Sequence, residues 1–299
     1  MRQNALLLCV IGLVASFIVG CGGAKTSANV EDIYQSSVDA MAKANSYSFQ
    51  MEVDQTLDIP DEQEMHTVES NLVMNGKMVE NPLAMEMVIS MNMNDSLMEE
   101  LDEFENLDLK YFIKDQVVYM QNPMFGDLWV KEAMTELADF GFAFEPSALS
   151  TYFGHGLKQA KVTEEDRYYV LSIDGTNEQV KKSMEMLLDA IINNSAVSSL
   201  AEEGAVKTED FLIEKLSFTI WIDKQTRYQE KIEMDLGLSV TAEGQTLKIQ
   251  QIMNASFHDF AKHKEILIPA EVVEKAIDIE TLWDQSMELY DLDGLIQEP

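Results

Sequence analysis

Cysteine is nearly missing from this chain of 299 residues, which has only Cys9 and Cys21. A disulfide framework is therefore excluded, and stability has to come from packing. Histidine is also scarce. His66, His155, His258 and His263 are scattered, with no His-Glu-x-x-His and no zinc-ligand spacing, and they read as solvated or turn histidines. Positive charge is heavily outweighed, with 21 Lys and Arg against 53 Asp and Glu and a net charge of −32. A chain so acidic is repelled by nucleic acid and by anionic lipid, so no nucleic-acid partner is expected. The acidity serves colloidal solubility at a surface, with cation buffering as a sharper alternative. Gly-x-Ser-x-Gly, the phosphate loop and the dinucleotide fingerprint do not occur. Asp291-Leu292-Asp293-Gly294 begins like a calcium loop but lacks the third ligand and the Glu at position 12. No catalytic residue, metal site or cofactor is assigned, and the chain reads as a non-enzyme.

What is present starts with an apolar N-terminus. Residues 1–20 carry one charge, Arg2, followed by an apolar run from Ala5 to Val19. That run falls short of the about 20 apolar residues of a bilayer span and suits a secretory signal core. It ends in Phe17-Ile18-Val19-Gly20-Cys21, which resembles a bacterial lipobox. The resemblance implies that 1–20 is a lipoprotein signal peptide cut between Gly20 and Cys21. It also implies that the Cys21 sulfur carries a diacylglyceryl group, with palmitate-type chains, on the outer face of the cell membrane. The plainer alternative is an ordinary signal peptide, or an N-terminal helix, with an incidental cysteine. A lipidated Cys21 leaves no thiol for a disulfide or a nucleophile. Loss of Arg2 with the signal leaves 20 basic residues against 53 acidic ones, a net of −33.

With 46% hydrophobic residues, the remainder is long enough for one sizeable core. Residues 21–29 are small and polar and read as a flexible tether. Ile33, Tyr34, Ser37, Val38, Met41 and Ala44 share one face of a helix over 30–44. Strict alternation then predicts strands over 46–57, 65–79 and 83–94, joined by turns at Pro60-Asp61 and Asn81-Pro82. Further strands are expected over 107–114, 116–121, 158–163, 167–174, 211–223, 227–241 and 245–260, with another starting at Leu128-Trp129-Val130-Lys131. Short helices are expected over 132–139 and 147–153, a longer one from the capping box at Thr176 to Asn194, and a last one opened by Pro269. Residues 96–106 read as a short helix or an acidic loop. The strand runs are apolar on one side only, so the few helices must cover that side. The architecture expected is α+β: a curved antiparallel sheet with helices on its concave face, in a single domain over 30–275, followed by an acidic tail over 276–299.

Methionine is the most distinctive ingredient, since ten of the 19 lie between Met41 and Met98. A flexible, polarisable thioether fills core gaps, and it also adapts to ligands of variable shape. Cu(I) binding through thioethers is a third use, but no His or Cys accompanies Met85, Met87, Met91 and Met93. The candidate ligand-lining positions are Met74, Met78, Met85, Met87, Ile89, Met91, Met93, Phe218, Ile220, Met234 and Leu236. Tyr111, Tyr119, Trp129 and Trp221 either line a cavity mouth or pack under a sheet edge.

Four fragments taken together carry a wider resemblance: the lipobox, Asn45-Ser46-Tyr47-Ser48-Phe49, Asn81-Pro82-Leu83-Ala84-Met85-Glu86-Met87, and Tyr119-Met120-Gln121-Asn122-Pro123 leading to Trp129-Val130-Lys131. The set is similar to uncharacterised surface lipoproteins of Gram-positive bacteria that are placed with the LolA/LolB/LppX-like lipoprotein carriers. It implies an unclosed half-barrel whose concave side shelters acyl chains. The function expected is a membrane-anchored, non-catalytic extracytoplasmic binding protein for an apolar, lipid-like ligand. The alternative is a surface interaction or envelope-sensing lipoprotein with a solid core and a protein or cell-wall partner.

Overall fold

A computed structural model describes residues 30–60, 65–94, 106–121, 128–134, 160–175, 211–242 and 245–279, with Pro123, Gly126 and Thr281. Helix α1 (Val30–Ala44) comes first. Strands β1 (Ser46–Pro60), β2 (Met65–Val79), β3 (Ala84–Asn94), β4 (Asn106–Lys114), β5 (Val117–Gln121) and β6 (Trp129–Ala133) follow. The second half holds β7 (Lys161–Glu164), β8 (Tyr168–Asp174), β9 (Phe211–Asp223), β10 (Gln229–Ala242), β11 (Gln245–His258), helix α2 (Ala270–Lys275) and β12 (Ile277–Asp278).

The twelve strands form one sheet in the order β12-β6-β5-β4-β3-β2-β1-β11-β10-β9-β8-β7. It consists of two meanders, β1 to β6 and β7 to β11, joined by the antiparallel pair β1/β11. Among the described residues, the end strands β12 and β7 each pair on one side only, and the structure is a mostly β, curved, unclosed antiparallel sheet with few helices. Only the short β12/β6 pair is parallel among the described strands.

Alternation sets the register. On β1, Tyr47, Phe49, Met51, Val53, Gln55 and Leu57 are buried, while Gln50, Glu52 and Asp54 are exposed. Val53 stands opposite Leu72 of β2 and Met253 of β11, so three strands contribute apolar side chains to one row. A slip by one residue would turn all of these to water and bury Glu52 and Asp54 instead, which pins the pairing. The outer face keeps its polar groups bonded to each other, as where the Asn71 amide donates to Asp54 at 2.8 Å.

Helix α1 buries Ile33, Ser37, Val38, Met41 and Ala44, and its apolar stripe joins the core on the inner face. It ends at Asn45, whose φ of 56° is a left-handed conformation that asparagine tolerates. The Asn45 amide donates back to the Met41 carbonyl at 3.2 Å, and its side chain donates to the Asn81 carbonyl at 3.0 Å. The chain can therefore enter β1 one residue after the helix.

After β11 the chain runs across the outer face. The Ala261 amide donates to the Ser46 carbonyl at 2.8 Å, Ile266 packs with Val79 and Ala84, and the Lys114 ammonium donates to the Ile266 carbonyl at 3.0 Å. This strap leads through α2 to β12, which pairs with Val130 and Lys131 of β6.

Several expectations change. Glu132 and Ala133 belong to β6 rather than to a helix, because Val130 and Glu132 continue the sheet's alternation opposite Met120 and Val118. Ile277 and Asp278, assigned by the sequence to the tail, are held in the sheet by the strap. Asn106 opens β4. The signal, the tether, Cys21, the remainder of 96–106 and 132–139, the helices expected over 147–153 and 176–194, and the tail from 282 onward lie outside the described residues.

Candidate ligand-binding face

Every candidate lining position lies on the same, inner face of the sheet, by register. Ile89, Met74, Met51, Ala255, Ile232, Ile220 and Leu171 form one row across seven strands. Met91, Leu72, Val53, Met253, Met234, Phe218 and Ile173 form the next. Met78 faces Met85, Gly76 faces Met87, and Leu236 faces Leu216. Met93 stands opposite Ser70 on the same face.

The face is not covered evenly. Phe218, Ile220, Met234 and Leu236 are 5%, 3%, 2% and 3% exposed, so they lie deeply buried. Met74, Met78 and Met85 are buried as well. Towards the β3–β5 side the inner face opens: Met87, Ile89 and Met91, with Leu109, Tyr111, Ile113 and Met120, are half-buried. Of the four aromatics considered, only Tyr111 belongs to this face, and burial pushes its hydroxyl up to about 12. Tyr119, Trp129 and Trp221 lie on the outer face, where Trp129 packs on Phe112 at 5.6 Å and the Lys231 ammonium sits 4.7 Å over Trp221.

Two local devices hold the face. Gly76 leaves room for the Phe49 ring, since a Cβ there would sit 2.5 Å from Phe49 Cζ. Phe49 is thereby laid across β2, between Met87 and Phe257. Tyr47 is fully buried against the edge of Phe257 and donates its hydroxyl to Met78 Sδ at 3.1 Å. Burial, aided by the Glu80 carboxylate, raises its pKa.

Polar groups on this face went unremarked in the sequence. Gln55 and Gln251 stand opposite each other in register at 5% and 1% exposure, and Ser70 continues their row on β2. Among the described residues, Gln251 finds no hydrogen-bond partner for either its carboxamide oxygen or its nitrogen. The visible signal was a glutamine at an inner-facing position in each of two otherwise apolar alternations.

Two polar clusters elsewhere have structural roles. Ser48 Oγ and His263 Nε2 are 2.8 Å apart, and the His263 amide donates to Ser46 Oγ at 3.2 Å. Both serines are buried under the strap, so these bonds fix the strap to β1. At the β9–β10 turn, burial pushes the Asp223 carboxyl up. The Thr226 and Gln225 amides, the Arg167 guanidinium and the Thr226 hydroxyl all donate to it, outweigh burial and hold it at about 2. Arg167 also pairs with Glu230, which accepts from the Tyr168 hydroxyl at 2.9 Å. Among the described residues no group of three or more His, Cys, Asp or Glu could hold a metal, and no helix is long and apolar enough to cross a membrane.

Comparison with solved structures finds similar chains at low identity. One is a DUF1329 family protein from Desulfovibrio piger, at 9% identity and a TM-score of 0.25, covering 82% of this chain and 98% of that one. Another is a β-barrel-like protein of the domain of unknown function DUF1849 from Brucella abortus, at 9% identity and a TM-score of 0.22, covering 71% of this chain and 98% of that one. Likeness at these scores carries no argument about ligand or activity. No curated protein matches the chain. A model for a family of unknown function, DUF6612, matches residues 29–277, and the chain belongs to that family.

Proposed function

We propose that this protein is a lipid-anchored extracytoplasmic binding protein that shelters an apolar, acyl-type ligand in an open half-barrel of the LolA/LppX kind, without performing chemistry. The observation that carries the proposal is the half-buried Met87–Ile89–Met91 stretch of β3, with Leu109, Tyr111 and Ile113 beside it on β4. A contiguous apolar face left half open on an otherwise acidic protein is a binding surface in need of an occupant. Flexible thioethers suit a ligand that has length but little fixed shape. Anchoring would rest on acyl chains at Cys21 on the outer face of the cell membrane, Gram-positive in type.

The test uses the full-length chain in vesicles, with protein-free vesicles as the blank, titrated with a fluorescent fatty-acid methyl ester, a neutral acyl probe. The reading expects saturable binding that Ile89→Asp and Met91→Asp weaken at least tenfold, while Ser90→Asp, on the outer face, leaves it unchanged. Equal signals from protein and blank would remove the proposal.

A second reading draws on a different observation. On β1 and β9–β11 most inner-facing side chains are within a few per cent of full burial, as in a solid core. A surface interaction or envelope-sensing lipoprotein, with a protein or cell-wall partner, follows if the acyl probe finds no site.

A further inference from the structure

We infer that the inner face recognises a neutral hydrogen-bonding group on its ligand through the carboxamide of Gln251, with Gln55 and Ser70 in the same row. The inference rests on the ligand-binding reading above and narrows it from apolar molecules in general to neutral amphiphiles carrying a hydroxyl or amide.

Gln251 is 1% exposed, and both its carboxamide polar atoms are without partners among the described residues. Gln55 stands opposite it without bonding to it. A buried donor and acceptor left unpaired cost free energy that an apolar side chain of the same size would not, so plain packing gives no reason for a glutamine here. The rows on either side are apolar: Val53 and Met253 on one side, Leu57 and Ile249 on the other. The polar spot is therefore a single row within a hydrocarbon-like face.

Its chemistry limits the ligand. A carboxamide both donates and accepts, which matches a hydroxyl or an amide. Among the described residues, no lysine or arginine occupies an inner-face position on any strand, so nothing there would neutralise a phosphate or an ionised carboxylate. Helix α1, which lies against β9, adds a second orphan: Ser37 is 0% exposed and its hydroxyl has no partner. Unpaired polar atoms thus occur on both the sheet and the helix that packs on it.

The test compares hexadecanol with hexadecane, each supplied in vesicles to the full-length chain and quantified after reisolation of the protein. Gln251→Met keeps the length of the side chain and removes both polar atoms. The ratio of retained hexadecanol to retained hexadecane is compared between wild type and variant, so that partitioning into the vesicles cancels. The expected result is a ratio about tenfold higher in wild type, the size of one well-placed hydrogen bond, with hexadecane retention unchanged in the variant. Gln251→Asn, which keeps the carboxamide one methylene short, gives the same comparison should the methionine variant not fold. Retention of both probes with an unchanged ratio would overturn the role of Gln251 and leave the apolar binding reading standing. Retention of neither probe by wild type would overturn both.

Discussion

At the scale of single residues, the molecule separates positions that are packed to capacity from positions that are left wanting. Gly76 belongs to the first kind. A methyl group there would run into the Phe49 ring and the Glu86 carbonyl oxygen. Gly76→Ala is expected to destabilise by about 1–3 kcal/mol, the usual range for overpacking, measured by denaturant unfolding. Asp223 is also fully committed, as the acceptor that organises the β9–β10 turn. Its folded-state pKa of about 2 lies below the ordinary value of 3.8. A depressed carboxylate pKa adds stability that is complete above the unfolded value and is lost as pH falls through the folded one. Asp223→Asn should therefore cost on the order of 2 kcal/mol near neutral pH, and the gap to wild type should close between about pH 4 and pH 2. Unfolding curves across that window check it; a gap that persists at pH 2 would mean that the turn depends on shape rather than charge. Gln251 is of the other kind, with two polar atoms that no group among the described residues satisfies.

At the scale of elements, the sequence was most legible where one rule decided the outcome. Period-two alternation located β2 and β9 to the residue, and the helical stripe from Ile33 to Ala44 gave α1 its full span. The candidate lining residues share one face because strand parity alone determines that. Which of them are deeply buried and which are half open could not be read, because it depends on pairing between β1 and β11 across about two hundred residues of sequence. The strap was likewise hidden, since bonds such as Ser48 to His263 leave no periodic trace. Glu132 looked helical by composition and was claimed by the sheet, because tertiary pairing with Val118 outweighs a weak local propensity. Helix α1 offers a prediction at this scale. Ser37→Ala removes an orphan hydroxyl and improves helix propensity, so it should raise stability by about 1 kcal/mol. A loss of stability on denaturant titration would mean that the hydroxyl is engaged in the native protein.

At the scale of the whole molecule, two meanders meet at one seam, and the strap ties the far edge of the first back to the end of the second. The inner face is deeply buried on the seam side and half open towards β3–β5. The account predicts that Cys21→Ala abolishes metabolic labelling by an alkynyl palmitate and moves the protein out of the membrane fraction; labelling that survives the change would place the anchor elsewhere. The central claim is that the half-barrel carries a lipid-like molecule, and native purification of the full-length chain followed by solvent extraction and mass spectrometry tests it most directly. The account predicts a neutral amphiphile in near-stoichiometric amount, diminished when Ile89 or Met91 is replaced by aspartate. An extract that holds only membrane lipid, in the same amount with or without those substitutions, would contradict it.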